Sequence, residues 1–73
     1  MKISVNGKDT FLEKEITVAE MLETLNVEMK QYVTVQINDV FIDREDFEKI
    51  TVRESDIVEF LYFMGGGAYD IHQ

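Results

Sequence analysis

The sequence contains no cysteine and no proline, and only four of its residues are glycine. The lack of cysteine excludes disulfides, cysteine-ligated zinc and a cysteine nucleophile, and it is compatible with a reducing compartment. No apolar run approaches the roughly 18–20 residues that a membrane-spanning helix needs. The opening residues also lack the long apolar stretch of a signal peptide. We therefore expect a soluble, cytoplasmic protein that has no membrane partner.

Basic residues are also scarce, with seven Lys and Arg against 15 Asp and Glu and a formal net charge of −8. A surface of this charge is repelled by nucleic acid and by anionic membranes, so neither is expected as a partner. The acidity favours a partner with a basic docking surface, although it equally serves to keep a small protein in solution.

Groups that usually carry catalysis are few. A chain of 73 residues suffices for one small domain with little room for a deep enclosed pocket. The single histidine, His72, lies in a terminal segment of a kind that is usually mobile, and no serine has a histidine placed to activate it. The acidic residues between positions 39 and 59 lack the spacing of an EF-hand loop. We expect no metal, no cofactor and no catalytic residue, and hence a protein that is not an enzyme.

The N-terminal segment has the pattern of a hairpin. Ile3 and Val5 alternate with polar residues, which predicts a strand with one buried face. Asn6-Gly7 follows, a dipeptide suited to the positive φ angles of a tight turn. A second strand is expected near residues 10–16.

A helix is predicted over residues 18–25. Thr17 and Glu20 have the spacing of a capping box, in which each side chain bonds the backbone of the other residue. Asn26 is the expected terminator, because asparagine tolerates the left-handed conformation at a helix end. The apolar stripe of this helix comprises Val18, Met21, Leu22 and Leu25.

Three shorter elements are expected next. Residues 33–37 alternate between apolar and polar types, which predicts a half-buried strand, and residues 40–42 predict a short one. Residues 43–49 are highly charged and predict a solvated turn of helix, with Phe47 and Ile50 as its inward anchors.

The last predicted strand, 57–64, is apolar on both faces. One face carries Val58, Phe60, Tyr62 and Met64, and the other carries Ile57, Leu61 and Phe63 and is interrupted by Glu59. Such a strand usually lies in the middle of a sheet, covered on both sides or meeting a partner. A right-handed crossover through the helix then places the first and last strands parallel at the centre. The expected fold class is α+β, a β-grasp (ubiquitin-like) mixed sheet of about four to five strands packed on one main helix.

The glycine run Gly65-Gly66-Gly67 directly follows this strand and is the strongest functional signal. A hinge that ends the sheet would need only one glycine. A phosphate-binding loop would need a helix after the run, which six following residues cannot form stably. Residues without a Cβ can pass through a narrow channel, so the run suits an arm that delivers a terminal carboxylate into the active site of another enzyme.

Several segments follow one another in a recognisable order and spacing. They are Met1 to Gly7, Ile16 to Val18, Gln36 to Asn38, Asp43 to Glu45 and Ser55 to Phe60, followed by Met64 and the glycines. Together they resemble the ThiS/MoaD-like sulfur carriers, in particular the ThiS family of thiamine biosynthesis. The resemblance covers residues 1–67 and implies adenylation by a ubiquitin-activating-type adenylyltransferase, followed by sulfur transfer to thiazole synthase. It also implies that Gly67 bears the reactive carboxyl, with Gly66 as its partner in the diglycine and Gly65 as part of the flexible arm.

Two features depart from that family. Proline is frequent at the position of Asp43, which affects a local turn. More importantly, residues 68–73 follow the diglycine, so Gly67 has a peptide carbonyl and no carboxylate until the bond to Ala68 is cut. Three explanations of residues 68–73 remain open. A protease removes them, they were added in cloning, or the protein is a paralogue that binds a partner without carrying sulfur.

The expected organisation is a β-grasp domain over 1–64, an arm over 65–67 and a removable extension over 68–73. Candidates for docking the activating enzyme are Tyr62, Phe63 and Met64, because aromatic residues and Met are enriched at the cores of interfaces. Simple core packing is the alternative for each of them.

Two other functions remain open. The first is a plain interaction module that keeps its tail, with Tyr69 and Ile71 docking as an added strand or anchor. The second is a sulfur carrier that serves another client, such as molybdopterin or cysteine.

Overall fold

The computed structural model describes residues 1–64 and 69–70. The glycine run and most of the extension, which include Gly65, Gly66 and Gly67, lie outside the described residues. The elements in chain order are β1 (Lys2–Val5), β2 (Lys8–Phe11), β3 (Ile16–Thr17), α1 (Val18–Thr24), β4 (Val33–Ile37), β5 (Val40–Ile42), a 3-10 helix (Arg44–Asp46), β6 (Thr51–Val52), β7 (Ile57–Met64) and β8 (Tyr69–Asp70).

The main sheet has the strand order β2-β1-β7-β4-β5. The first strand and β7 are parallel, with Ser4 opposite Ile57, whereas the other neighbouring pairs on this path are antiparallel. A small second sheet pairs β3 with β6. This arrangement confirms the predicted β-grasp fold, with the first and last long strands parallel at its centre.

Both tight hairpins close with two residues at positive φ, the geometry that suits the twist of antiparallel strands. Asn6 and Gly7 have φ of 50° and 83°, and Asn38 and Asp39 have φ of 52° and 69°. The predicted extent of the second strand, 10–16, is wrong. The two-residue turn starts β2 at Lys8, and the chain leaves the sheet after Phe11.

The helix begins as the sequence predicts. The Thr17 hydroxyl accepts a hydrogen bond from the Glu20 N–H at 3.1 Å, and the Glu20 carboxylate accepts one from the Thr17 N–H at 2.9 Å. The helix ends at Thr24, one residue earlier than predicted, and Asn26 has the expected left-handed conformation with φ of 59°. Within the described residues, no helix is long and apolar enough to cross a membrane.

The core lies between α1 and one face of the sheet. Phe47 is buried there as predicted, but the prediction for Ile50 is wrong, because its side chain is exposed. Its carbonyl, rather than its side chain, holds the segment in place by accepting a hydrogen bond from the Val18 N–H at 2.9 Å. The buried apolar residues in the described part of the chain are Ile3, Leu12, Val18, Met21, Leu22, Val33, Val35, Ile37, Phe47, Val52, Val58 and Phe60.

Candidate functional site

The start of β7 is fixed by side chains from the turns around it. Asn38 accepts a hydrogen bond from the Ile57 N–H at 3.0 Å and donates one to the Asp56 carboxylate at 3.0 Å. The second oxygen of Asp56 accepts from the Arg53 N–H at 2.8 Å. These three hydrogen bonds fix where β7 begins and so help to set its register with the neighbouring strands.

The middle of β7 is held by Asn6, where the pairing with β1 stops. The last parallel pair is Val5 with Val58. Beyond it, the Asn6 N–H donates to the Val58 carbonyl at 2.9 Å, and the Asn6 side-chain oxygen accepts from the Phe60 N–H at 2.8 Å. Asn6 therefore serves as both the turn residue of the first hairpin and the clamp on the central strand.

Tyr62 holds the far part of β7 to the loop that follows α1. Its hydroxyl donates to the Glu28 carbonyl at 2.6 Å. Partial burial raises the pKa of the Tyr62 hydroxyl, and the negative charge of Glu28 adds to the rise. The half-buried Tyr62 shares a face with the buried Val58 and Phe60 and packs against the core. The core-packing alternative therefore fits Tyr62.

The opposite face of β7, here called the outer face, is open in the described structure. Ile57 and Phe63 are 54% and 52% exposed, and Leu61 between them is half-buried. Phe41 on β5, opposite Gln36 of β4, is 58% exposed on the same side of the sheet. Apolar side chains therefore lie along the outer face from Ile57 to Phe63, interrupted by the exposed Glu59. Aromatic residues such as Phe63 and Phe41 are enriched at the centres of interfaces.

The structure separates the three docking candidates. Tyr62 lies on the core side of the sheet, whereas Phe63 lies on the outer face. Met64 ends β7, and its side chain is outside the described part of the structure. The candidates named from the sequence omitted Ile57 and Phe41. The apolar residues at alternate positions of the last strand were the signal that could have identified Ile57.

Beyond its neighbours, β7 extends toward the glycine run. The pairing with β4 ends at Val33 opposite Tyr62, so residues 63 and 64 project past that strand. Their partner is β8, in which Asp70 lies opposite Phe63 and Tyr69 opposite Met64 in an antiparallel pair. The backbone of residues 69 and 70 thus runs antiparallel to the end of β7.

The inner side of the sheet has a groove of about 600 Å³ near the end of β7. It lies between the first hairpin and the loop after α1, and its surface is mainly apolar. Residues that line it include Val5, Lys8, Leu25, Met29, Phe60 and Tyr62.

Titratable groups do not gather into a centre in the described part of the chain. No group of three or more His, Asp or Glu side chains that could hold a metal ion occurs among residues 1–64 and 69–70. No polar or charged side chain with a known placement is buried there. The features that stand out are instead the outer face and the central strand β7, which precedes the glycine run.

The fold and this arrangement define the class as a ubiquitin-like β-grasp protein, in which the central strand directly precedes a run of three glycines in the sequence. Comparison with known proteins identifies the family. The model of the ThiS family matches residues 3–67. The chain belongs to this family, the sulfur carrier proteins of thiamine biosynthesis.

Two curated relatives are similar to the chain. The sulfur carrier protein ThiS of Bacillus subtilis (strain 168) is 30% identical over 66 residues, which cover 89% of this chain and 98% of the relative. The thiazole synthase of Paramagnetospirillum magneticum (strain ATCC 700264 / AMB-1) is 28% identical over 68 residues, which cover 93% of this chain but only 21% of that protein.

Two solved structures have the same fold. The crystal structure of the thiamine biosynthesis protein ThiS from Geobacter metallireducens is 45% identical, has a TM-score of 0.87, and is matched over 92% of this chain and 100% of its own. The solution NMR structure of a thiamine biosynthesis protein from the same organism is 43% identical with a TM-score of 0.73, over 99% of this chain and 95% of its own.

Proposed function

We propose that the chain carries sulfur as a thiocarboxylate on Gly67 after the bond between Gly67 and Ala68 has been cut. The observation that carries this proposal is that the family match ends at Gly67, the third glycine after the central strand. Residues 1–64 then act as the recognition domain, 65–67 as the arm and 68–73 as the removable extension. The protein acts as a co-substrate rather than as an enzyme.

The chemistry requires a free carboxylate. A Gly67 carboxylate oxygen attacks the α-phosphorus of ATP, which forms an acyl adenylate and releases pyrophosphate. Hydrosulfide supplied by a sulfur donor then attacks the activated carbonyl carbon, AMP leaves with the original oxygen, and loss of a proton leaves the thiocarboxylate. An amide carbonyl cannot react in this way, so the uncut chain is a precursor. The need for ATP favours the cytoplasm as the compartment.

We propose an adenylyltransferase of the ubiquitin-activating type as the first partner and the outer face as the surface it binds. Phe63 supports this choice, because it is half exposed and adjacent to the start of the arm. A chain with a net charge of −8 also suits a partner whose docking surface is basic. A processing protease is the further partner that the extension demands.

Thiazole synthase is the sulfur acceptor that we propose. The support is the relative of that name in Paramagnetospirillum magneticum, in which a segment similar to this chain makes up about a fifth of a longer protein. Because a segment similar to this carrier lies within a protein named thiazole synthase, we favour thiazole formation over molybdopterin or cysteine as the destination of the sulfur. The pairing of β8 with β7 is the one observation that favours an interaction module retaining its tail. That pairing is equally expected of a precursor.

The direct test uses the cognate activating enzyme and ATP–pyrophosphate exchange. A chain ending at Gly67 should support exchange, whereas the 73-residue chain should not. A chain ending at Ala68 is the matched control, because it has a free carboxylate displaced by one residue. Equal exchange with all three chains would contradict the assignment of Gly67.

Intact-mass measurement of the protein from its native cell tests the maturation step. We expect a species that ends at Gly67, part of it heavier by the replacement of one oxygen by sulfur. If the full 73-residue chain is the only species in cells that make thiamine, the precursor hypothesis is wrong.

A further inference from the structure

The strand β2 forms one edge of the main sheet, and within the described residues its strand neighbour is β1. Just beyond the end of β2, Leu12 exchanges two hydrogen bonds with Met1, at 2.8 and 2.9 Å. Bonded and non-bonded pairs alternate in an antiparallel ladder, so the next bonds to β1 are made by Thr10. The N–H and carbonyl groups of Asp9 and Phe11 therefore point to the free edge.

The apolar groove of about 600 Å³ adjoins this edge. Lys8 and Thr10 line it from β2, and Thr10 lies opposite the buried Ile3 on the core side of the sheet. Leu25 and Met29 line it from the end of α1 and the loop that follows. Because side chains of a strand alternate between its two faces, an extended segment added to β2 directs every second side chain toward the groove.

Met29 presents an apolar side chain to the groove in a strained conformation. Its φ is 52°, a left-handed value that residues with a Cβ seldom adopt, and its side chain is 49% exposed. Asparagine and aspartate at positive φ form local hydrogen bonds that methionine cannot form. Strained backbone of this kind clusters at ligand-binding sites, and methionine is a side chain that adapts to varied partners.

The residue pattern of β2 argues against a second copy of the chain as the occupant of this edge. Opposite residues of paired strands share a face, so a second β2 would turn its own Lys8 and Thr10 toward the apolar groove. Two chains that each have a net charge of −8 also repel one another. Carboxylates flank the site at Asp9 on the edge, Glu28 in the groove and the exposed Glu13 after β2. They favour a segment with basic residues.

We propose that β2 and the groove bind an extended segment of another protein in which apolar and basic residues alternate. The backbone of this segment pairs with the N–H and carbonyl groups of Asp9 and Phe11, in the manner of a strand added to a sheet edge. Its apolar side chains enter the groove, and its basic side chains lie on the other face, near the Asp9 carboxylate and the Phe11 ring. Binding at this site is independent of whether Gly67 carries sulfur.

The test is an NMR titration of the 73-residue chain with the peptide acetyl-Lys-Val-Lys-Val-Lys-Val-Lys-amide. Its sequence reads the same in both directions, so it fits β2 in either orientation. The control peptide, acetyl-Lys-Lys-Val-Val-Val-Lys-Lys-amide, has the same composition and charge without the alternation. We expect saturable shifts in β2 and at Met29 with the first peptide, and binding at least about fivefold weaker with the second, the value of one lost hydrogen bond.

Amide exchange distinguishes strand addition from simple contact with the groove. At a free peptide concentration about ten times the dissociation constant, exchange at Asp9 and Phe11 should slow about tenfold, because pairing protects both amides in the bound chain. The Thr10 amide already faces β1, so its exchange should change much less.

Two proline variants test the edge itself. Phe11→Pro removes an N–H from the free edge of β2, and Phe41→Pro makes the same change on β5, at the opposite edge of the sheet. The Phe41 N–H points outward because its neighbour Val40 pairs with Ile37 across the two-residue turn. Proline is tolerated at such positions of edge strands. We expect at least about fivefold weaker binding of the alternating peptide in Phe11→Pro and unchanged binding in Phe41→Pro.

Met29→Gly tests the groove without straining the fold. Glycine suits the positive φ at this position, so the variant should bind the alternating peptide more weakly while its melting temperature is not lowered.

Several results would overturn the proposal. They are the absence of saturable shifts, equal affinity for the two peptides, unchanged exchange at Asp9 and Phe11, and equal losses in the two proline variants. Full affinity in Met29→Gly would remove the groove from the site. Protection of Asp9 and Phe11 that rises with the concentration of the chain alone would make a second copy the occupant and contradict the partner proposed here. None of these results affects the adenylation test on a chain that ends at Gly67.

Discussion

Replacing Phe63 by alanine should weaken the binding of the activating enzyme. The side chain is 52% exposed on the outer face. A phenylalanine buries about 200 Å² when fully enclosed, so about 100 Å² remains for a partner to cover. At about 25 cal/mol per Å² this area contributes about 2.5 kcal/mol. Ordering costs reduce that value, so we expect binding to weaken between about tenfold and sixtyfold.

Phe11→Ala is the matched control. Phe11 is more exposed, at 73%, and lies opposite Lys2 at the other end of the sheet from the arm. Isothermal titration calorimetry with chains ending at Gly67 should show little change for this variant. Both titrations are made well below the melting temperatures of the variants, because each substitution also removes packing within the sheet. Equal losses in the two variants, or full affinity in Phe63→Ala, would refute the assignment of the binding surface to the end of the outer face next to the arm.

Three further substitutions test the fold that presents the arm. Asn6→Ala should lower the free energy of unfolding, measured by denaturant titration, by about 2 kcal/mol. The substitution removes the acceptor for the Phe60 N–H and places alanine at positive φ. Asn6→Asp keeps a side-chain oxygen at this position and should retain most of the stability. Thr17→Ala should cost about 1 kcal/mol in the same assay through loss of the helix cap, and the exposed Thr24→Ala should cost much less. Tyr62→Phe should remove an alkaline decline in stability. The pKa of Tyr62 in the folded protein lies above the usual 10.0, so its contribution to stability is complete below pH 10 and is lost as the pH rises through the raised pKa. Thermal melts of both proteins across that pH range measure the difference.

Local chemistry explains which elements the sequence predicts well. The Asn6-Gly7 turn, the capping box at Thr17 and the left-handed Asn26 each depend on residues next to one another in the chain. The last strand was also predicted with its observed bounds, Ile57–Met64, since a long apolar run after a turn has few other solutions. Signals of this kind need no knowledge of the rest of the fold.

The misplaced second strand shows where local reasoning fails. Residues 10–16 contain enough apolar character for one strand, but Leu12 turns into the core and Ile16 pairs with Val52 in a separate sheet. That partner lies far away in the sequence, so no local pattern reports it. The exposure of Ile50 has the same origin, because a backbone contact with Val18 decides the path of the segment.

The candidate site could be predicted only in part. The alternation along the last strand indicated two apolar faces, but it could not tell which one α1 covers. The structure places Tyr62 on the covered face and Phe63 on the open one. Phe41 joins the open face through the pairing of β5 with β4, a contact that depends on the whole sheet.

The parallel pair at the centre of the sheet joins residues from nearly opposite ends of the described chain, Ser4 and Ile57. The conformational entropy lost in closing this long loop is offset only by contacts that form after the loop has closed. We therefore expect the domain to fold slowly and cooperatively. A nascent chain that stops before β7 lacks the strand on which β1 and β4 both pair. A chain shortened before Ile57 is therefore expected to remain unfolded, because β1 and β4 then have no common strand to pair with.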